Sequence, residues 1–209
     1  MTSRSHIAVV TCGAAKLRDY FPTAAEPDFV PTEPPFTPDD QFLVEELRRH
    51  GHDVRPVIWG CDVATLVGSV DRLLIRSPWD YMDSPALRQR FLEWIADLDR
   101  AGLAVENHPQ VMAWLTDKRY LKDLEAVGVP IVPTRIVAPG EVVRLAEVVA
   151  AEGPLIVKPR VSAAGAGLVH LTSAAAAKMF QAEFEVCSQR EWYLVQPFVP
   201  RFGRLVNGP

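Results

Sequence analysis

Along the 209-residue chain, short apolar runs alternate with stretches whose apolar positions recur every three or four residues. The first pattern is that of buried strands and the second that of amphipathic helices, so the alternation predicts an α/β fold. "HIAVVTC" (His6–Cys12) reads as the first strand, and the proline-rich stretch from Pro22 to Pro38 as an extended loop. Thr37-Pro38-Asp39-Asp40 has the order of a helix start: a capping hydroxyl, a proline, then acids in the first turn. Leu43 and Leu47 give that helix its apolar stripe and Gly51 ends it. "DVRPVIW" predicts a second strand, at a sheet edge because Pro56 has no N–H for a ladder. "RLLIRS" (Arg72–Ser77) is the third. Ser84-Pro85 caps a second helix with Leu87, Phe91, Trp94 and Leu98 on one side, closed by Gly102. The reading is an open parallel sheet.

After Val105 the pattern changes. Thr116-Asp117 predicts the cap of a short helix carrying Tyr120, Leu121, Leu124 and Val127, ended by Gly128. "TRIV" (Thr134–Val137) is a strand, and 141–151 a helix with Val142, Leu145 and Val149 inward. "LIVK" is a strand on which "LVHL" (168–171) folds back as a hairpin. Ser173–Ser188 is a helix and "EWYLVQPFV" (191–199) a last strand. The expected organisation is a parallel-sheet domain over residues 1–105, an α+β lobe over 106–200, and an atypical tail at 201–209.

Composition narrows the function classes. A net charge of −4 argues against a general footprint for nucleic acid or an anionic membrane. Cys12, Cys61 and Cys187 are distant and odd in number, which predicts isolated, mostly buried thiols rather than a disulfide framework or zinc site. The N-terminal apolar run is too short for a signal peptide and no stretch suits a bilayer span, so a soluble cytoplasmic protein is expected. Lysine is scarce, five of the 22 basic residues, which draws attention to Lys118 and Lys158 as positions that want a compact ammonium.

Lys158 ends the apolar run of residues 155–167, "LIVKPRVSAAGAG". The small residues that follow let backbone N–H groups approach an anion closely, and the lysine adds a movable charge. The segment is not a Walker loop, nor a GxGxxG dinucleotide fingerprint. A flexible hairpin tip with a surface lysine fits the loop taken alone.

The wider context "TDKRYLKDLEAVGVPIVPT", "LIVKPRVSAAGAGLVHL" and "YLVQPFV" resembles the ATP-grasp superfamily. "RSPWDY" (76–81) and "ENHPQVMAWLTDK" (106–118) make it similar to the glutathione-synthetase-like branch that includes the O-ureido-serine cyclo-ligase of cycloserine biosynthesis. The resemblance runs from about residue 6 to Pro200. It implies an N-terminal pre-ATP-grasp domain followed by the small lobe of an ATP-grasp fold, with the large C-terminal lobe absent. It also implies an ATP site: Lys118 and Lys158 at the phosphates, the loop with Ser162, Ala163, Gly165 and Gly167 above them, and Gln196, Pro197, Phe198 and Val199 as the adenine hinge. Arg76, at the C-terminal end of the third strand, would pair with a substrate carboxylate, and Trp79 and Asp80 would shape its pocket. A core role for Trp79 and Tyr81, with an Arg76–Asp80 salt bridge, is the competing reading.

The activity implied is an ATP-dependent ligase that activates a small carboxylate as an acyl-phosphate for attack by an amine-like nucleophile. The magnesium ligands such a reaction needs lie, in the family, in the large lobe, as an acid and a later Glu-x-Asn. Here no Asp or Glu follows Glu191, so no metal ligand is assigned in this chain, and the expectation is a truncated or frame-shifted reading that is inactive alone. The second reading is a non-catalytic nucleotide- or metabolite-binding protein with an incomplete site. With the large lobe missing, the hinge strand would expose an apolar edge and invite a homodimer. His108, His170, Trp94, Trp114 and Trp192 read as ordinary structural residues.

Overall fold

The computed structural model describes residues 4–13, 37–163 and 165–200. The predicted loop from Pro22 falls mostly outside them, and the 201–209 tail wholly so. The chain divides into two units, Met1–Trp114 and Leu115–Pro209.

The first unit is built on four parallel strands in the order β2-β1-β3-β4: β1 His6–Thr11, β2 Asp53–Ile58, β3 Arg72–Ser77 and β4 Val105–Glu106. β1 is apolar at consecutive positions because both its faces are covered. Ala8 and Val10 belong to a core with Leu73, Ile75, Trp59, Leu66 and the α2 residues Phe91, Trp94, Ile95 and Leu98 (α2, Pro85–Arg100). Ile7 and Val9 face the other way, with Val54 and the Val44 of α1 (Pro38–Arg49). Ser84 caps α2 as its sequence predicts, its Oγ accepting from the Leu87 N–H at 3.1 Å. Pro56 lies on the edge strand, where its missing N–H costs no ladder bond.

Two expectations for α1 change. Thr37 stands at its N-cap position, yet its side chain accepts no backbone N–H; the hydroxyl donates instead to Asp40 Oδ2 at 2.7 Å. The inward residue is Val44, with Leu43 and Leu47 only half-buried. Cys12 is buried, but Cys61 is intermediate and Cys187 exposed.

The second unit is an antiparallel sheet in the order β5-β8-β6-β7: β5 Arg135–Val137, β6 Leu155–Pro159, β7 Val169–Leu171 and β8 Tyr193–Pro197. Side chains alternate across it. One face carries Val137, Leu155, Val157, Leu171, Tyr193 and Val195 into a core with α5 (Leu145–Glu152) and α6 (Ala174–Ser188). The opposite positions include Ile156, Lys158, Leu194 and Gln196. β8 pairs with both β5 and β6, so the expected exposed apolar edge at the hinge strand is not there; within this unit the edges are β5 and β7.

α5 begins later than its periodicity suggests. Val142 is 75% exposed and Val143 is the buried neighbour, because Glu141 turns the chain before the helix. Its carboxylate accepts from the Ala138 N–H at 2.9 Å and from Arg135 Nη2 at 2.8 Å, and both bonds hold its carboxyl below the usual range. Helix α4 (Tyr120–Ala126) likewise starts after the expected Thr116-Asp117 cap, with Arg119 at the N-cap, and Val127 is 76% exposed rather than on an inward stripe. Between β4 and α4 lies the short α3 (Pro109–Leu115), at whose start His108 Nδ1 accepts from the Gln110 N–H at 3.3 Å, a structural role for that histidine.

Candidate functional site

At the C-terminal end of the first unit's sheet, β3 carries an irregularity. Val10 pairs with Ile75 but Thr11 with Ser77, so Arg76 is an extra residue in the ladder. A bulge of this kind re-aims a side chain. The Arg76 Nε donates to Asp40 Oδ1 at 3.2 Å, and Asp40 Oδ2 accepts from Ser77 Oγ at 2.5 Å and Thr37 Oγ1 at 2.7 Å. Asp40 is fully buried while the Arg76 side chain is 45% exposed. The carboxylate thus anchors one edge of the guanidinium and leaves its remainder toward solvent.

Asp80 does not pair with Arg76, which removes the salt bridge entertained from the sequence. Its Oδ1 accepts from Trp59 Nε1 at 2.5 Å and its Oδ2 from the Gly13 N–H at 2.9 Å. A Cβ on Gly13 would sit 2.8 Å from Asp80 Oδ2, so glycine is required for the approach. Asp80 therefore ties the ends of β1 and β2 to the turn after β3. Trp79 is half-buried in a 3-10 turn, Trp79–Met82, whereas Tyr81 stacks on Phe91 at 4.4 Å in the core. A groove of about 450 Å³ opens beside Trp59, Cys61, Glu93 and Trp94; Arg76, Trp79 and Asp80 do not line it.

In the second unit Lys118, just ahead of α4, reaches the loop after β6. Its Nζ donates to the Ser162 carbonyl at 2.5 Å and to Ser162 Oγ at 2.9 Å, and its backbone N–H donates to the Arg160 carbonyl at 3.1 Å. The Lys118 amine is lowered to about 8, mainly by burial and then by the Lys158 ammonium, with Asp117 opposing. Burial also lowers Lys158. Among the described residues no carboxylate pairs with either ammonium. Two half-buried cations near one another cost a few kcal/mol at protein-like screening, by about the Coulomb estimate at ε ≈ 20, unless an anion joins them.

The loop is made of tight turns: Ala166 N–H donates to the Ala163 carbonyl at 2.9 Å and Leu168 N–H to the Gly165 carbonyl at 3.0 Å. Those two donors are used internally. Gly165 and Gly167 have φ of +77° and +68°, and a Cβ on Gly167 would meet Pro159 Cγ at 2.8 Å. Of the hinge residues, Gln196 uses its side chain inside the protein, donating from Nε2 to Thr134 Oγ1 at 2.7 Å. The Phe198 N–H donates to the Pro154 carbonyl at 2.8 Å, and its ring stacks on His170 at 4.1 Å. Pro197 pairs with Leu155, and Val199 is 39% exposed.

Sequence reasoning passed over Asp40, Trp59 and Gly13 in the first unit, and Asp117 and Arg160 in the second. Asp40 carried one signal, a carboxylate three residues after Thr37. Arg160 carried one as well, being next to Lys158-Pro159.

Solved structures, ATP-grasp proteins among them, bear out the resemblance at the level of fold. The crystal structure of D-cycloserine synthetase DcsG aligns over 93% of this chain and 59% of that one, with TM-score 0.63 at 22% identity. The RimK domain protein ATP-grasp from Sphaerobacter thermophilus DSM 20745 aligns over 93% and 64%, with TM-score 0.59 at 18% identity. More particularly, residues 7–107 match the family described as D-cycloserine synthetase DcsG, N-terminal domain. The cycloserine biosynthesis protein DcsG of Streptomyces lavendulae is 33% identical over 102 residues, 43% of this chain. The match spans about a third of that relative's length (33%).

Proposed function

We propose that the protein is, as a whole, an ATP-dependent ligase that activates a small carboxylate as an acyl-phosphate, and that the second unit holds the nucleotide. The carrying observation is the pair Lys118 and Lys158 at the foot of the Ser162–Gly167 loop, one ammonium already fixed by Ser162. In this reading Lys118, Lys158, Ser162, Ala163, Gly165 and Gly167 hold the polyphosphate, and the backbone of Gln196, Pro197, Phe198 and Val199 holds the adenine. The side chain of Gln196 stays with Thr134. Bound ATP supplies the γ-phosphoryl group. A substrate carboxylate oxygen attacks that phosphorus as ADP leaves; an amine then attacks the acyl carbon, inorganic phosphate departs and the amine gives up a proton.

In the first unit, the exposed edge of the Arg76 guanidinium is the anchor for the substrate carboxylate, held in register by Asp40. Trp79 and Asp80 shape its surroundings, Asp80 through Gly13 and Trp59 rather than by touching the ligand. Among the described residues no three His, Cys, Asp or Glu side chains gather, so they do not fit a magnesium cage, and no step of this proposal runs through the metal. The proposal includes that these 209 residues by themselves bind ATP weakly and do not turn it over, since no carboxylate cluster that could hold magnesium gathers among the described residues. Among the described residues no helix is long and apolar enough to cross a membrane; a cytoplasmic setting is part of the proposal.

The test is an ATP titration by calorimetry beside an ADP-release assay on the purified chain, with Lys158→Ala in parallel. Binding that Lys158→Ala weakens supports the nucleotide site. Equal binding by both proteins, or none by either, sinks it, and turnover abolished in the variant shows that these residues suffice for chemistry.

A further inference from the structure

Lys118 sits beside two neighbours that attract its charge. Ser162 accepts from its ammonium at the loop, and Asp117, the residue before it, attracts the same charge. Asp117 Oδ1 lies 2.9 Å from Arg160 Nε in an ion pair and accepts from the Arg119 N–H at 2.9 Å. Both side chains of that ion pair are well shielded, 16% and 25% exposed, so the pair is weakly screened.

Arg160 is itself fixed from several sides. Its guanidinium carbon lies 4.4 Å from the centre of the Trp192 ring. Its N–H donates to the Trp192 carbonyl at 2.8 Å, and its own carbonyl receives the Lys118 N–H. One residue thus docks the Lys118 backbone through its carbonyl and neutralises the adjacent carboxylate through its side chain. A planar fork suits this double duty of pairing and stacking, where an ammonium would not.

We propose that Arg160 is a positioning residue for the phosphate site, holding the Asp117 carboxylate so that the Lys118 ammonium stays on Ser162 and open to a polyphosphate. The proposal rests on the nucleotide reading above for its ligand. Without Arg160, the released carboxylate both captures Lys118 and repels the incoming anion. The ionisable groups facing Lys118 are Asp117 on its own segment, Lys158 on β6 and Arg160 at the loop; Ser162 faces it as a neutral acceptor.

The experiment is a double-mutant cycle with tripolyphosphate as probe, read by calorimetry on the full chain, with thermal unfolding as the folding control. Arg160→Ala is expected to weaken binding about tenfold, and Arg160→Ala with Asp117→Asn to recover to within about threefold of the parent. Arg160→Gln serves in place of Arg160→Ala if the latter does not fold, and Arg160→Lys should recover only in part. A second readout needs no ligand: the amine titration of Lys118 followed by NMR of its ε-carbon. It should move up in Arg160→Ala and return in the double variant. Unchanged binding in Arg160→Ala, or failure of Asp117→Asn to restore it, overturns the proposal, the latter making Arg160 a direct phosphate ligand. A Lys118 titration that does not move overturns it as well. If the parent does not bind tripolyphosphate the nucleotide reading fails, and the Lys118 titration still decides whether Arg160 positions it.

Discussion

In the first unit, the two carboxylates near the strand ends are satisfied by neighbouring donors; in the second, among the described residues, the two cations beside the loop after β6 have no carboxylate paired with them. Asp40 is closed by Thr37, Ser77 and Arg76, and Asp80 by Gly13 and Trp59. Burial lowers both amines and the Lys158 ammonium lowers Lys118 further, with the Lys118 ammonium hydrogen-bonded to neutral oxygens of Ser162 and, weakly, Arg160. A buried group with all its partners belongs to the fold. A half-buried charge without a countercharge is a standing cost that a ligand of opposite sign relieves. The same test separates scaffold from candidate site in both units.

The sharpest way to break this comparison is at Asp40. Asp40→Ala leaves Arg76, Ser77 and Thr37 without their shared acceptor, and the loss of one partner in a buried polar network costs about 3 kcal/mol. Urea unfolding followed by hydrogen exchange should place that loss in the strands β1–β3, with the second unit's amides unaffected. A loss under about 1 kcal/mol would show that Asp40 is not a fold-holding group.

Next in size is the loop. Gly167→Ala meets both a φ of +68° and Pro159 Cγ at 2.8 Å, whereas Gly165→Ala meets only a φ of +77° with open space around it. The expected losses are about 2 kcal/mol and about 1 kcal/mol, within the range for strained backbone. Equal values, measured by thermal unfolding, would mean that the proline ring gives way and that Gly167 is there for conformation alone.

Lys158→Ala is the counterpart of Asp40→Ala. It should weaken ATP binding about tenfold, or 1.4 kcal/mol, while leaving the melting temperature unchanged or raised, since a half-buried cation is removed. A large loss of stability would make Lys158 part of the scaffold and erase the difference between the units.

Most of the fold was legible because local signals and tertiary context agreed. β3 and the Ser84 cap stand as read, and Pro56 placed β2 at the edge. Misreadings came where a side chain chose a non-local or unexpected partner. Thr37 bonds a carboxylate instead of a backbone N–H, and Glu141 caps Ala138 and binds Arg135, which delays α5. The hinge strand was expected to be an edge on the reading that the large lobe is missing, whereas its two neighbours β5 and β6 come from its own unit, through long-range pairing that periodicity does not encode. In the candidate site the lysines were singled out by their scarcity and by the resemblance. Asp40, Gly13 and Arg160 were not, because each acts through a contact at least 36 residues away in the chain.

The smallest effect is also the most discriminating, because the two properties it links should move in opposite directions with pH. Lys118 has its amine lowered to about 8 in the folded protein, from an ordinary value near 10.5. Above about 8 it is neutral, so a polyphosphate loses one cation, and affinity falls as pH rises through that value. Between pH 7 and pH 8 the protonated fraction drops from about nine-tenths to one half, a decline of roughly twofold in affinity. Folding has the other sign. A lysine whose folded value lies below its unfolded one binds more protons when unfolded, so stability rises with pH between about 8 and 10.5. Lys118→Met should remove the twofold step in affinity and flatten the rise in stability, leaving whatever Lys158 contributes, since burial lowers that amine too. Calorimetric titration of ATP at pH 7 and 8, with melting temperatures taken from about pH 8 to about 10.5, measures both. Affinity and stability that move in the same direction would place the titrating group elsewhere than on Lys118.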